Sequence, residues 1–273
     1  MEKAYIVGVG MTKFGRHPDQ SIRQLLDTAI STALGDAGGH KSDVEAVYHS
    51  SSTQGFLQGQ TFIPGQVALG QIGLSGIPVF NIENACASSS SSFHLAVQGV
   101  GSGMHDIILA AGVEKMNVPD KKKMFAVFDG AWDVATVDEN IERLVSQGME
   151  CPEGSESERP YSIFMKVYAA FGLNHMKRNG TTQRQIAAIA AKNHEHSVHN
   201  EYSQYRQAYS IEEVLAAPPI TYPLTLPMCA PISDGAAAAV ICNEEGLKKL
   251  GMDKSRAVEI LASVSMSGNA ERT

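Results

Sequence analysis

Apolar positions recur along this chain in two rhythms that take turns. "AYIVGVGM" (4–11) is a short β-branched run closed by glycine and predicts a buried strand. "SIRQLLDTAISTALGDAGG" (21–39) spaces its apolar residues for one face of a helix, with Ser21 as N-cap and glycines at the stop. "VEAVYHSS" (44–51) predicts a second strand, "GQVALGQIGL" (65–74) a shorter helix, and "IPVFNIENA" (77–85) a third strand running into Cys86. In "SSSSFHLAVQGVGSGM" (89–104), Phe93, Ala96, Val97 and Val100 share one helical face despite serine's middling propensity. "DIILAAGVEKM" (106–116) is a fourth strand. Strands alternating with helices imply an α/β protein whose parallel or mixed sheet is covered on both faces.

The rhythm breaks over 117–180, where turn clusters surround two helix-like pieces. So long an excursion from a layered core reads as a lid or binding element. "QRQIAAIAAKNHEHSVHN" (183–200) returns as a helix, and "DGAAAAVICNEEGLKKLG" (234–251) gives a turn, an alanine-rich strand and a helix. "AVEILASVSM" (257–266) predicts one more strand.

A length of 273 residues fits one large domain or two closely packed ones. The net charge of −7 argues against nonspecific attraction to nucleic acid or an anionic membrane. Lys121–Lys123 is a local exception, read as a solvated turn, with a phosphorylated ligand as the alternative. No apolar run reaches the roughly 18 residues a membrane span needs, and "MEKAYIVGVGM" does not resemble a signal peptide. The expectation is a soluble cytoplasmic protein with free thiols. Its four cysteines are far apart and form no C-x-x-C pair; Cys151, Cys229 and Cys242 read as small buried hydrophobes.

Cys86 differs by position. It sits where a buried strand meets a helix start, whose N–H groups and partial positive charge suit a reactive thiolate and an oxyanion beside it. Ala85, Ala87 and Ser88 leave room for an acyl chain, although the G-x-S-x-G elbow signature is absent. The serines that follow read as small side chains allowing close helix packing. On these grounds alone, catalytic and structural roles for Cys86 stand level. His196 and His199 share a helical face, but H-E-x-x-H is not matched and His194 points elsewhere, so a solvated face is expected and no metal site. Gly8, Gly10 and Gly15 have the wrong spacing for a dinucleotide fingerprint.

Three stretches together resemble the thiolase family, in particular its sterol-carrier-protein-type and archaeal branch. They are "NIENACASSSSSFHLAVQGVGSGMHDIILAAGVEKM" (81–116), "MCAPISDGAAAAVI" (228–241) and "AAKNHEHSVHNEYSQYR" (190–206). The resemblance implies a layered αβαβα architecture of two similar halves with an inserted loop domain. On this chain that places the N-terminal core at 1–116 and 181–252, the loop domain at 117–180, and the start of a C-terminal half at 253–273.

The resemblance further implies a dimeric acyltransferase acting on acyl-coenzyme A, with Cys86 as the nucleophile that becomes acylated. Coenzyme A is then substrate or product, and no cofactor is permanently bound. Phe164, Met165 and Tyr168 fall where the acyl pocket is expected. Many members carry a serine that touches the pantetheine arm just before S-D-G-A-A; this chain has Ala230 there, which offers no hydroxyl. A small OB-fold protein with a zinc ribbon is a further expected partner. The family's activating histidine (G-H-P-x-G) and second catalytic cysteine belong to the C-terminal half, and neither motif occurs in residues 1–273. Truncation is the expected reason, with a second polypeptide supplying that half as the alternative. Two other functions fit the same resemblance: a retro-aldol lyase on hydroxyacyl thioesters, and a non-catalytic scaffold subunit.

Overall fold

The computed structural model describes residues 2–146 and 151–268, and the chain divides into two units. The first, Met1–Val118 with Ser233–Thr273, opens with β1 (Tyr5–Met11), α1 (Ile22–Asp36), β2 (Ala46–Ser50), α2 (Gln54–Gln58), α3 (Pro64–Gly70), β3 (Val79–Ile82), α4 (Ser88–Gly101) and β4 (Ile107–Lys115). The second, Pro119–Ile232, holds α5 (Lys121–Ala126), α6 (Val137–Val145), α7 (Ile163–Asn179), α8 (Gln183–Val198), α9 (Ile211–Ala216), β5 (Pro219–Thr221) and β6 (Leu224–Thr225). The chain then returns to the first unit for β7 (Asp234–Cys242), α10 (Glu244–Lys249) and β8 (Val258–Glu259).

The first unit is built on a mixed sheet in the order β3-β2-β4-β7-β1-β8. β2 runs parallel to β3 and β4, whereas β7 is antiparallel to both β4 and β1. Alternation along each strand sends one row of side chains to each face. Val47, Leu109 and Val240 lie in register and pack with α1, while Ala46, Ile108 and Ile241 pack with α4. The sheet is therefore covered on both sides, and its central strands are apolar nearly throughout.

Helix α1 starts where the sequence placed it: Ser21 and Gln24 form a reciprocal capping box. Leu25, Leu26, Ala29 and Ile30 are fully buried beneath it. Each of the larger three stabilises the fold by roughly 1.5–3 kcal/mol through burial. The glycines of β1 serve this contact. A Cβ at Gly10 would fall on the carbonyl oxygen of Ala29, and one at Gly8 on that of Ala33. Bare backbone lets strand and helix meet, which accounts for the glycine spacing without a nucleotide.

In the second unit, Ala187 and Ala191 of α8 pack on Val214 of α9, flanked by Tyr209, Leu215 and Met228. Because these partners follow residue 180, the second unit runs on to Ile232 rather than ending at 180 as periodicity alone suggests. The run Lys121–Lys123 opens α5, capped by Asp120, rather than forming a turn.

One expectation near the C-terminal end changes. The strand expected over 257–266 shortens to Val258–Glu259, paired with β1, and Ile260 N–H adds one bond to Ala4 O at 2.8 Å. Beyond it Leu261, Val264 and Met266 are exposed, while Ser263 Oγ shares a hydrogen bond of 2.9 Å with His94 Nδ1. Residues 269–273 of the expected opening of a C-terminal half lie outside the described residues.

Candidate active site

The parallel strands β3, β2 and β4 end at the same edge of the sheet, the edge at which ligands of open α/β sheets gather. Three segments gather there, 83–89, 51–53 and the end of β4, and polar contacts hold each of them.

After β3, the chain passes through Glu83 and Asn84 into a 3-10 turn, Ala85–Ala87, that leads directly into α4. Ala85 has φ +46°, a left-handed conformation that is unusual for a residue with a Cβ. Contacts on either side hold it. The Ala85 N–H donates to Glu83 Oε1 at 2.6 Å. The buried Ser88 hydroxyl accepts from Asn84 N–H at 2.8 Å and donates to Ala85 O at 2.7 Å. Asn84 Nδ2 in turn donates to Ser91 Oγ at 2.8 Å. Cys86 sits at the centre of this turn and is exposed to solvent. β3 stops at Ile82, so the cysteine belongs to the turn rather than to the strand end expected from the sequence.

The serine run is a packing surface. Ser92 donates to Tyr48 O at 2.7 Å, and Ser89 and Ser50 share a hydrogen bond of 3.0 Å. A Cβ on Gly112 would lie 2.5 Å from Ser89 Oγ and 2.6 Å from Ser50 Oγ. Hydroxyls and a bare glycine therefore let the start of α4 approach β2 and β4 closely.

Glu114 anchors the neighbouring loop. Its carboxylate accepts the backbone N–H groups of Ser52 (2.5 Å) and Thr53 (3.2 Å) and the hydroxyls of Ser51, Ser52 and Thr53. Sequence reasoning passed over Glu114 and Glu83, and it read Ser88 only as a small residue leaving room for an acyl chain, whereas Ser88 is buried and hydrogen-bonded within the turn. The signal for Glu114 was an acid at the end of an apolar strand, followed only by Lys115.

Among the other thiols, Cys242 is buried, and burial with the nearby Glu244 charge pushes it up to about 12. Cys229 is half-buried and raised by desolvation. Cys151 departs from its expected burial and is exposed. It lies outside the helices and strands, in the described stretch 151–162 that leads to α7.

The expected acyl-pocket residues belong to the second unit. Phe164 stacks on Trp132 at 5.1 Å between ring centroids and meets Phe128 edge-on at 5.3 Å. Met165 is half-buried on α7, and Tyr168, one turn after Phe164, is 54% exposed. Ala230 is exposed in the irregular stretch before β7. His194 is half-buried, bonded to Pro227 O at 3.0 Å and set edge-on to Tyr209, whereas His196 and His199 are exposed.

The comparisons with known proteins agree with this architecture. A family model described as the thiolase N-terminal domain matches residues 4–208. "Non-specific lipid-transfer protein-like 2" of Caenorhabditis elegans is 38% identical over 263 residues, covering 95% of this chain and 60% of that protein. "Acetyl-CoA acetyltransferase" of Methanothermobacter thermautotrophicus is 34% identical over 242 residues, covering 89% and 57%. Human "Sterol carrier protein 2" is 34% identical over 271 residues, covering 98% and 46%. The chain thus spans about half the length of the curated relatives it matches. The solved structure of an "Ltp2-ChsH2(DUF35) aldolase" shares the fold with a TM-score of 0.65 at 21% identity, covering 90% of this chain and 57% of its own. With its mixed sheet, its two helical covers and the family match over most of its length, the chain belongs to the thiolase family.

Proposed function

We propose that Cys86 is the nucleophile of an acyl-coenzyme A acyltransferase. The observation that carries this reading is an exposed thiol in a turn held at left-handed Ala85, immediately before a fourteen-residue helix. In the proposed step the Cys86 thiolate attacks the thioester carbonyl carbon. A carbon–sulfur bond forms to Cys86, the bond to coenzyme A breaks, and coenzyme A leaves as its thiolate. In synthesis the acyl group then passes to an enolate. In cleavage Cys86 attacks the keto carbonyl of a 3-ketoacyl-coenzyme A, the carbon–carbon bond breaks, the enolate of the shortened thioester leaves and is protonated, and the acyl group passes to coenzyme A. Main-chain N–H groups at the helix start would face the developing oxyanion. General acid–base help of the kind the family draws from its C-terminal half is worth on the order of 10² to 10⁴ in rate.

The relatives named as acetyl-coenzyme A acetyltransferases support this chemistry. Phe164, Met165 and Tyr168 are proposed to line the acyl site and Ala230 to lie along the pantetheine path, with no cofactor permanently bound. A homodimer through the β3 edge is part of the same reading, because Phe62, Ile63 and Phe80 are exposed on or near that strand. The small OB-fold and zinc-ribbon partner also stays a proposal. It draws support from the aldolase that shares this fold, whose name pairs Ltp2 with a second component, ChsH2(DUF35).

Intact-protein mass spectrometry after incubation with a panel of acyl-coenzyme A thioesters tests the nucleophile. An acyl adduct mapping to Cys86 and absent from Cys86→Ala is expected; an adduct elsewhere, or none with any thioester, refutes it. A retro-aldol lyase is the second reading, favoured by the same aldolase. Cleavage of a hydroxyacyl thioester that persists in Cys86→Ala would select it.

A further inference from the structure

We infer that Ser88 is the positioning residue of the Cys86 turn, an inference that rests on the reading of Cys86 as nucleophile. Ser88 is buried, and its single hydroxyl acts in both directions: it accepts from Asn84 N–H at 2.8 Å and donates to Ala85 O at 2.7 Å. The two bonds close on the residues just before Cys86, and one of those, Ala85, is held at φ +46°. Ala85 has no intrinsic preference for that conformation, so local contacts must keep it there. Glu83 restrains Ala85 from its N–H side, but it is exposed. Ser88 restrains the carbonyl side from beneath, shielded from water.

Position in the helix adds to the effect. Ser88 is the first residue of α4, so its hydroxyl ties the turn to the helix itself. Main-chain bonds from Ser88 N–H to Ala85 O and from Ala87 N–H to Asn84 O at 2.9 Å close the turn as well. Without the hydroxyl, Asn84 N–H loses its acceptor, the hold on left-handed Ala85 weakens, and the sulfur shifts from its place at the helix start. The hydroxyl thus aims the thiol and does not itself touch a substrate.

The test measures iodoacetamide alkylation of Cys86 by peptide mass mapping across pH 6–9, with two controls inside the same molecule. Exposed Cys151 reports reagent and pH, and buried Cys242 reports unfolding. In Ser88→Ala, the Cys86 rate at pH 7 is expected to fall at least about fivefold with its pH profile displaced, while Cys151 keeps its rate and Cys242 stays protected. An unchanged Cys86 rate and profile overturns the inference. Should Cys242 become reactive in Ser88→Ala, Ser88→Thr is compared with Ser88→Val at nearly constant shape: faster alkylation in the threonine variant supports the role of the hydroxyl, and equal rates overturn it. A Cys86 whose alkylation depends on Ser88 but which no thioester acylates leaves Ser88 supported and removes the acyltransferase reading, so the two failures are told apart.

Discussion

The Asn117 backbone N–H donates to Asp234 Oδ1 at 2.7 Å, joining the chain just past β4 to the first residue of β7. The other carboxylate oxygen accepts His17 N–H at 3.0 Å, and Asp234 is fully buried. Three separate segments therefore share one carboxylate. Asp234→Ala would strand these donors away from water and is expected to cost about 3 kcal/mol. Asp234→Asn keeps one acceptor and should cost less. Urea unfolding followed by circular dichroism ranks the two variants.

Gly10 offers a sharper steric test. Any Cβ there meets the Ala29 carbonyl of α1, and backbone cannot step aside as a flexible side chain can. Gly10→Ala is expected to lower stability by roughly 2 kcal/mol or more, in the range found for overpacked cores. Gly15→Ala meets nothing within 4 Å and serves as the control, with a melting temperature close to wild type.

The thiols should separate by exposure. Under native conditions iodoacetamide is expected to modify Cys86 and Cys151 first, Cys229 slowly, and Cys242 only after denaturation. Cys242 combines burial with a thiol pushed up to about 12, so almost none is ionised at neutral pH. Time-resolved peptide mapping gives the order. Early labelling of Cys242 would contradict the packing of β7 against α1.

His49 makes stability depend on pH. It is buried on β2, and desolvation holds it down to about 4, outweighing the opposing pull of a Gln54 hydrogen bond. The unfolded chain titrates this group near 6.5, so between there and about pH 4 it binds the extra proton. Stability should therefore rise with pH across that window and be lost as pH falls, by on the order of 3 kcal/mol from this group. Urea midpoints at pH 7, 5.5 and 4 should fall steeply for wild type and less for His49→Phe.

The exposed edge beside β3 tests the proposed homodimer. Phe62 is 79% exposed, Ile63 57% and Phe80 47%. A Phe62→Glu, Ile63→Lys double variant is expected to elute as a monomer in light-scattering chromatography, against a dimeric wild type. A monomeric wild type would remove that part of the reading.

Much of this architecture was legible in the residues because local chemistry and final packing agree. Ser21 reads as an N-cap and caps α1, and the apolar runs of β2 and β4 are buried as their composition demands, whereas in β1 Val9 turns outward. Legibility failed where contacts with distant residues decide the outcome. The expected strand at 257–266 is apolar enough, but pairing with β1 covers only its start. The second unit extends past residue 180 because α8 finds its partner in α9, which periodicity within α8 cannot reveal. At the candidate site, Cys86 was visible from its place between strand and helix. The roles of Ser88 and Glu114 were not, since both depend on backbone groups whose direction no side-chain pattern encodes.

Helix α4 rests on its sheet partly through oxygen: Ser92 on the Tyr48 carbonyl, Ser89 on Ser50, with Gly112 bare between. Hydrocarbon surfaces can slide past one another at little cost, whereas a hydrogen bond fixes both length and direction. The start of this helix is therefore keyed in place, and an attacking atom carried there inherits a placement that greasier seating would blur by the ångström on which such reactions depend.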